Sequence, residues 1–123
     1  MLLEPDESVL DALEILLNSQ GWIISKTKDH LSLEELLRLQ AVSVVISEAA
    51  LPFCEAKTIL KICKKLDVPV IFTGSEVSAQ HAVDLIKQGA LDYLEKPFAH
   101  TRLIKLLNGL VNRHNDANIF KED

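Results

Sequence analysis

The chain has 123 residues, of which 48% are hydrophobic, and this size and composition fit one α/β domain with a single core. Its net charge of -5 argues against a nucleic-acid-binding surface. No apolar run is long enough to span a membrane, and the first residues lack the basic start of a signal peptide. We therefore expect a cytoplasmic protein that binds neither nucleic acid nor membrane.

Cysteine and histidine are sparse and scattered. Cys54 and Cys63 have neither metal-type nor redox-type spacing, so we expect buried or half-buried free thiols. The histidines stand far apart, without carboxylate or cysteine neighbours at ligand spacing. The basic cluster of Lys61, Lys64 and Lys65 contains no aromatic residue and indicates a solvated helix face. These patterns indicate no resident cofactor.

Short apolar runs alternate with segments of helical period, which predicts a doubly wound α/β fold with a parallel sheet. Strands are predicted at residues 1–3, 22–24, 41–47 and 68–72, and around Tyr93. The first strand is very short, which would follow from a trimmed start or from a weak sheet centre.

Five helices are predicted between and after these strands. The first begins at residues 6–8 and ends before Gly21, and the second begins at a capping box in residues 32–35. The others cover residues 55–66, 78–88 and 101–112, and Gly89 has the position of a left-handed cap on the fourth helix. The domain is therefore predicted to cover residues 1–112. Residues 113–123 form a polar tail, either a frayed end or the start of a linker.

Lys96 lies at the end of the fifth strand. Pro97 forces the residue before it into an extended backbone and cannot continue a β-ladder, so the strand stops there. Open α/β sheets bind their ligands at the carboxyl ends of the strands. A lysine in this place is suited to meeting an anion.

Four stretches have the order and spacing of one known domain family. They are residues 4–8 (EPDES), 44–52 (VVISEAALP), 67–72 (DVPVIF) and 89–98 (GALDYLEKPF). Together they resemble the start, third strand, fourth strand and closing signature of response-regulator receiver domains, and the resemblance extends to about residue 111. It implies a flavodoxin-like, CheY-like fold, with a five-stranded parallel sheet in the order 2-1-3-4-5 and five helices.

The resemblance also implies a chemistry. In that family an aspartate on the third strand accepts a phosphoryl group, and an acidic pair near the first strand holds magnesium. A threonine or serine on the fourth strand and the lysine of the Lys-Pro pair bind the phosphoryl oxygens. Matched position by position, the lysine is Lys96 and the aromatic switch residue is Tyr93, and both are intact.

The acidic positions depart from the family pattern. The phosphoacceptor position falls on Glu48, and the acidic pair falls on Glu4 and Pro5, with Asp6 displaced by one place. Glu4 and Asp6 remain as the candidate magnesium ligands, although a hard cation needs several converging oxygens and proline has removed one.

The hydroxyl position departs as well. It falls on Gly74, flanked by Thr73 and Ser75. A one-residue slip could bring either neighbour into place, but a slip in a strand turns the side chain to the opposite face.

Glu48 is one methylene longer than aspartate, and phosphoryl transfer suffers when reacting atoms are misplaced by about 1 Å. We therefore expect poor phosphorylation. An ion pair between Glu48 and Lys96 would hold the domain in its activated arrangement without phosphate. The alternative is that Glu48 is solvated at a loop edge.

We expect a receiver domain, rather than an enzyme, that acts mainly as a phosphorylation-independent protein-interaction or dimerisation module. A protein partner or a second copy would use the face of the fourth helix, fifth strand and fifth helix around Tyr93, and a sensor histidine kinase is a further candidate partner. Two alternatives stay open: a receiver that still takes phosphate, and a sensor of an anion or small ligand held by Lys96 in the strand-tip crevice.

Overall fold

The computed structural model describes residues 1–27, 29–75 and 79–122, with the side chains of the last helix described up to residue 111. In chain order the elements are β1 (Leu2–Leu3), α1 (Glu7–Ser19), α2 (His30–Leu39), β2 (Val45–Glu48), α3 (Ala56–Lys65), β3 (Val70–Gly74), α4 (Ala79–Lys87), β4 (Asp92–Glu95) and α5 (His100–Glu122). Each predicted helix is present, and strand and helix alternate as predicted except between α1 and α2, where the described residues form no strand.

The described residues form a parallel, four-stranded sheet in the order β1, β2, β3, β4. The predicted strands at residues 1–3, 41–47 and 68–72 correspond to β1, β2 and β3, and the predicted strand around Tyr93 corresponds to β4. Three of the four strands have no more than four residues, and most of their side chains are buried. The predicted α/β class with a parallel sheet is therefore confirmed.

The predicted strand at residues 22–24 is wrong as a full strand. The chain meets β1 through one parallel bridge, between Leu2 and Lys26, with the Leu2 amide donating to the Ser25 carbonyl at 2.8 Å. Ile23 is 94% exposed, so one side of this segment has no layer to pack against. β1 offers only two residues for pairing. The strand that would lie beside β1 at the edge of the sheet is therefore reduced to this single bridge.

Two helical layers cover the sheet. Strand side chains alternate between the faces, so Phe72 packs in one core cluster and its neighbour Ile71 packs in the other. Helices α2, α3 and α4 cover the Phe72 face, while α1 and α5 cover the Ile71 face; their buried contributions are Leu33, Leu37, Ile59, Leu60 and Leu85 on the first face and Leu13, Leu17, Leu103 and Leu107 on the second.

Side-chain caps explain where the first two helices begin. Asp6 Oδ1 accepts from the amides of Ser8 and Val9 at 2.9 and 3.2 Å, which confirms the predicted start of α1. Helix α2 begins earlier than the predicted capping box, because Asp29 accepts from the Ser32 amide at 2.7 Å and serves as the N-cap of a helix that starts at His30.

The helix ends follow backbone geometry. Gly89 has a φ of +119°, and the Ala90 amide donates to the Leu85 carbonyl at 3.0 Å, so the predicted glycine cap of α4 is confirmed. Helix α5 does not stop at residue 112: the predicted polar tail is helical as far as Glu122. The domain limit at residue 112 stays a prediction.

The cysteines and the α3 lysines agree with the sequence patterns. Cys63 is buried and Cys54 is half-buried, and both are free thiols. Burial raises the pKa of Cys63 to about 12, so this thiol stays protonated at neutral pH. Lys61 and Lys65 lie on the exposed side of α3.

Candidate functional site

The carboxyl ends of the strands bring distant polar residues together on one face of the sheet. Glu48 is the register partner of Thr73, and Glu4 follows β1 directly beside Glu48 in the same register. Lys96 follows β4 and lies two residues beyond Leu94, the register partner of Thr73. Residues in register or two apart share a face, so all four side chains leave the sheet on the side covered by α1 and α5.

Lys96 bridges two carboxylates. Its Nζ lies 2.6 Å from Glu48 Oε2 and donates a hydrogen bond to Glu4 Oε1. The exposed fractions of the side chains are 18% for Lys96, 4% for Glu4 and 8% for Glu48. The ion cluster, by which we mean Glu4, Glu48 and Lys96, is therefore largely shielded from water, and its two carboxylates share one ammonium.

The backbone holds the ion cluster in place. The Ala50 amide donates to Glu48 Oε1 at 3.2 Å, and the Asp6 amide donates to Glu4 Oε2 at 3.1 Å. The Lys96 amide donates to the Gly74 carbonyl at 2.7 Å, and the Lys96–Pro97 peptide bond is cis. Each carboxylate thus has a backbone donor in addition to the lysine.

The charge state of Lys96 follows from two opposing influences. Burial is the largest single influence and lowers the pKa of Lys96. The hydrogen bonds with Glu4 and Glu48 and the charges of both carboxylates raise the pKa and together outweigh burial. The pKa of Lys96 is therefore raised, and its ammonium stays charged throughout the neutral range.

The sequence predicted that Glu48 and Lys96 converge, and the structure places them in contact. It did not predict that Glu4 is the second partner of Lys96. Glu4 is 92 residues from Lys96 in the chain, and the only signal was its place directly after the first strand. The phosphoacceptor and phosphoryl-contacting roles of these positions stay predictions.

Asp6 is not part of the ion cluster. Its carboxylate caps α1, while the Glu4 carboxylate is taken by Lys96 and the Asp6 amide. Among the described residues, no group of three or more histidine, cysteine or acidic side chains converges as a metal site. Glu4 and Asp6 therefore do not present an open pair of carboxylates to magnesium, and magnesium binding by this pair stays a prediction.

The three candidates for the hydroxyl position have different places. Thr73 is 2% exposed and lies beside Glu48, on the same face of the sheet. Gly74 is one residue further and faces the other side, and Ser75 is exposed after the strand has ended. The hydroxyl that shares a face with Glu48 is therefore that of Thr73, one residue before the position counted from the family pattern.

Tyr93 is buried, at 8% exposure, rather than displayed on the surface. Its register places it beside Phe72, so its ring belongs to the core cluster under α2, α3 and α4. Burial, followed by the charges of Glu48 and Glu95, raises the pKa of Tyr93 to about 12. The expected partner surface therefore does not include an exposed Tyr93 side chain.

The loop after β2 carries Phe53. Its ring stacks on the His30 ring at the start of α2, with centroids 6.0 Å apart and planes 15° apart. This contact ties the loop to the amino end of a neighbouring helix.

The long α5 helix and the other described helices lack the length or the apolar character needed to cross a membrane.

Comparison with curated proteins gives relatives among transcriptional regulatory proteins and response regulators. The chain is 25% identical over 118 residues to the transcriptional regulatory protein FixJ of Bradyrhizobium diazoefficiens, covering 94% of this chain and 58% of FixJ. It is 24% identical over 118 residues to the response regulator MprA of Mycobacterium sp., covering 92% of this chain and 50% of MprA. The chain thus spans roughly half the length of these relatives.

Solved structures share the fold. Full-length FixJ from B. japonicum superposes with a TM-score of 0.83 at 25% identity, covering 95% of this chain and 59% of that chain. The beryllofluoride-activated NtrC4 receiver domain dimer gives a TM-score of 0.81 at 24% identity, covering 90% of this chain and 94% of that chain. The sequence also matches the response regulator receiver domain family over residues 1–108. The chain therefore belongs to the response regulator receiver domain family of two-component signalling proteins.

Proposed function

We propose that this receiver domain acts mainly as a phosphorylation-independent protein-interaction or dimerisation module. The observation that carries the proposal is the bridging of Glu4 and Glu48 by Lys96. In the family the lysine at this position binds the oxygens of a phosphoryl group. In this chain the ammonium of Lys96 instead contacts carboxylate oxygens of Glu4 and Glu48.

The acceptor geometry supports the same proposal. Glu48 carries its carboxylate one methylene further from the backbone than aspartate, and its negative charge already reaches Lys96 at 2.6 Å. A phosphoryl group on Glu48 would have to displace this ion pair. Because phosphoryl transfer depends on placement within about 1 Å, the longer side chain and Pro5 both work against it.

The surface proposed for a partner is the face of α4, β4 and α5. Val83 and Ile86 of α4 are each 43% exposed, which leaves apolar area uncovered beside the sheet edge. A second copy of the chain or another protein would bury these side chains, and a sensor histidine kinase is a further candidate. The solved structure of the beryllofluoride-activated NtrC4 receiver domain, which has the same fold, is a dimer.

A receiver that still takes phosphate is the second candidate function. The observation that favours it is the hydroxyl of Thr73, which is buried beside Glu48 on the same face. A hydroxyl in this place could orient a phosphoryl oxygen. The anion-sensor alternative has less support, because both carboxylates of the ion cluster already contact Lys96.

Incubation with acetyl phosphate and magnesium separates the first two candidates. We expect the intact mass of the native chain to stay unchanged, because the acceptor position carries Glu48 and one metal position carries Pro5. The matched control is the double variant Pro5→Asp/Glu48→Asp, which restores the family residues at two positions. We expect this variant to gain the mass of one phosphoryl group in part of the sample.

A stoichiometric gain of one phosphoryl group by the native chain would instead establish the second candidate. A parallel NMR titration with magnesium and beryllofluoride gives an independent measurement, since beryllofluoride mimics the bound phosphoryl group. We expect no saturable change in the amide chemical shifts of Glu48, Thr73 and Lys96.

A further inference from the structure

A cleft of about 650 Å³ lies beside the ion cluster, between the start of α1, residues 26–27 and the loop at residues 51–53. It is lined by Glu4 and Pro5, the two positions matched to the family's acidic pair, but Glu48, Thr73 and Lys96 are not among its lining residues. Its volume is in the range of small-molecule sites. The cleft therefore adjoins the ion cluster and does not enclose the Lys96 ammonium or the Glu48 carboxylate.

The walls of the cleft are mostly apolar. Its apolar lining includes Leu10 of α1 and the loop residues Leu51, Pro52 and Phe53. The Phe53 ring is held by its stacking on His30, at 6.0 Å between centroids. A wall fixed in this way is preformed, which lowers the entropy cost of binding a flat apolar group.

The charges around the cleft are predominantly negative. Glu7 and Asp11 lie exposed on the lining turns of α1, a helix whose sequence contains no basic residue. The lining cation, Lys26, is already paired with Glu14 at 2.8 Å. The amino end of α1, which would otherwise attract an anion, is capped by the carboxylate of Asp6. An anion is therefore disfavoured here and a cation is favoured.

We propose that this cleft binds a small organic cation with an apolar body. The apolar group lies against Leu51, Pro52 and Phe53, and its ammonium faces Glu7 and Asp11. A cleft lined by an aromatic ring and by two exposed carboxylates suits an organic cation. The proposal does not depend on whether the domain takes phosphate.

The test uses three probes with the same ring and different charge: phenethylammonium, phenylacetate and benzyl alcohol. Each probe is titrated into the full chain to about 10 mM, and the amide chemical shifts of the protein are followed by NMR. This range is chosen because a probe this small is expected to bind with a Kd on the order of 1 mM. We expect saturable shifts at Leu10, Asp11, Thr27 and Phe53 with phenethylammonium. Trp22 lines a different cavity, at the amino ends of the strands. The chemical shift of its amide should therefore stay unchanged.

Variants connect the binding to the proposed residues. Glu7→Gln/Asp11→Asn should weaken phenethylammonium about fivefold, because the facing charges are removed. Glu35→Gln, an exposed carboxylate on α2 that does not line the cleft, should leave it unchanged. Phe53→Ala, in an exposed loop, should weaken phenethylammonium and benzyl alcohol alike.

The proposal is overturned if none of the probes gives saturable shifts. It is also overturned if phenylacetate or benzyl alcohol binds as tightly as phenethylammonium, or if Glu7→Gln/Asp11→Asn leaves phenethylammonium binding unchanged. A Kd for phenethylammonium about tenfold below that for phenylacetate would support it.

Discussion

The decisive residue in this domain is Lys96, because two buried carboxylates depend on its single positive charge. Removing one partner of a buried ion pair leaves an uncompensated charge, which costs more than the pair itself contributes. Glu4 and Glu48 are both less than one tenth exposed, and their negative charges would face each other without the lysine. The three residues of the ion cluster should therefore respond very differently to substitution.

Lys96→Met should destabilise the fold by about 3 kcal/mol, because it leaves two buried carboxylates without a counter-charge. Glu48→Gln should cost less than about 1 kcal/mol, since Gln keeps an acceptor for the Ala50 amide and Lys96 keeps Glu4. Urea unfolding with linear extrapolation measures both values. Equal costs for the two variants would contradict the sharing of one ammonium by two carboxylates.

A double-mutant cycle of Glu48→Gln and Lys96→Met isolates their interaction, which should exceed about 0.5 kcal/mol. The exposed Lys26–Glu14 pair provides the matched control, and its coupling should be smaller because solvent screens it. Strictly additive effects of Glu48→Gln and Lys96→Met would reduce Glu48 to a solvated loop residue.

Tyr93 is the only tyrosine in the chain, so its ionisation can be followed by ultraviolet absorbance. We expect its midpoint at a pH of about 12 in the folded protein, because burial and the charges of Glu48 and Glu95 oppose the phenolate. Glu48→Gln should lower this pKa more than Glu95→Gln does. A Tyr93 pKa near that of a free tyrosine would contradict the buried position.

The raised pKa values of Tyr93 and Lys96 act on stability in the same direction. Each group binds its proton more tightly in the folded state. Its contribution to the free energy of unfolding is therefore complete at pH values below its pKa in the unfolded chain, about 10. It is lost as the pH rises through the folded pKa. The free energy of unfolding should therefore stay insensitive to these groups near neutral pH and fall in alkaline solution.

At the scale of elements, three helices end with the same backbone arrangement but with different residues. Helices α1 and α4 are followed by Gly21 and Gly89 at positive φ, whereas α3 is followed by Asp67 at a φ of +56°. The Val68 amide still donates to the Cys63 carbonyl at 2.9 Å. Helix α3 therefore keeps its capping hydrogen bond while Asp67 adopts a conformation that favours glycine.

Asp67→Gly should raise the free energy of unfolding by about 0.5 to 1 kcal/mol, because glycine adopts a positive φ without steric strain. Asp67→Ala is the matched control: it removes the same charge but keeps a Cβ, so it should not stabilise the fold. Thermal and urea unfolding of both variants measure the difference. A gain with alanine equal to that with glycine would assign the effect to the charge at the helix end instead.

At the scale of the whole molecule, exposed apolar side chains are unevenly placed. Val83 and Ile86 lie together on α4, on the face proposed for a partner, whereas Ile15 lies alone on α1. A contact between copies through α4 would bury two neighbouring aliphatic side chains. The proposed interface can therefore be tested without changing the ion cluster.

We expect concentration-dependent self-association of the native chain in sedimentation velocity, and loss of this association in Ile86→Lys. The added lysine places a charge in an apolar contact, which is costly to desolvate. Ile15→Lys, at a side chain that is 71% exposed, is the matched control and should associate as the native chain does. Equal association of the native chain and Ile86→Lys would exclude α4 as the contact surface.

Much of this architecture could be predicted from local sequence patterns. The capped start of α1, the glycine-marked ends of α1 and α4, the buried strands β2 and β3 and the place of Lys96 all follow from signals within a few residues. The predicted strand at residues 22–24 failed because pairing depends on its neighbour, and β1 supplies only two residues. The start of α2 was misplaced because Asp29 competes with Ser32 as the cap.

The sequence by itself determined the fold class, the receiver-family resemblance and the presence of a lysine at the strand tips, because hydrophobic period and motif spacing are local properties of the chain. Only the tertiary structure decided that Glu4 shares Lys96 with Glu48, that Thr73 lies on their face and that Tyr93 is buried. These outcomes depend on how strands far apart in the chain align. A shift of one residue in register moves a side chain to the other face of the sheet, and local patterns do not specify that alignment.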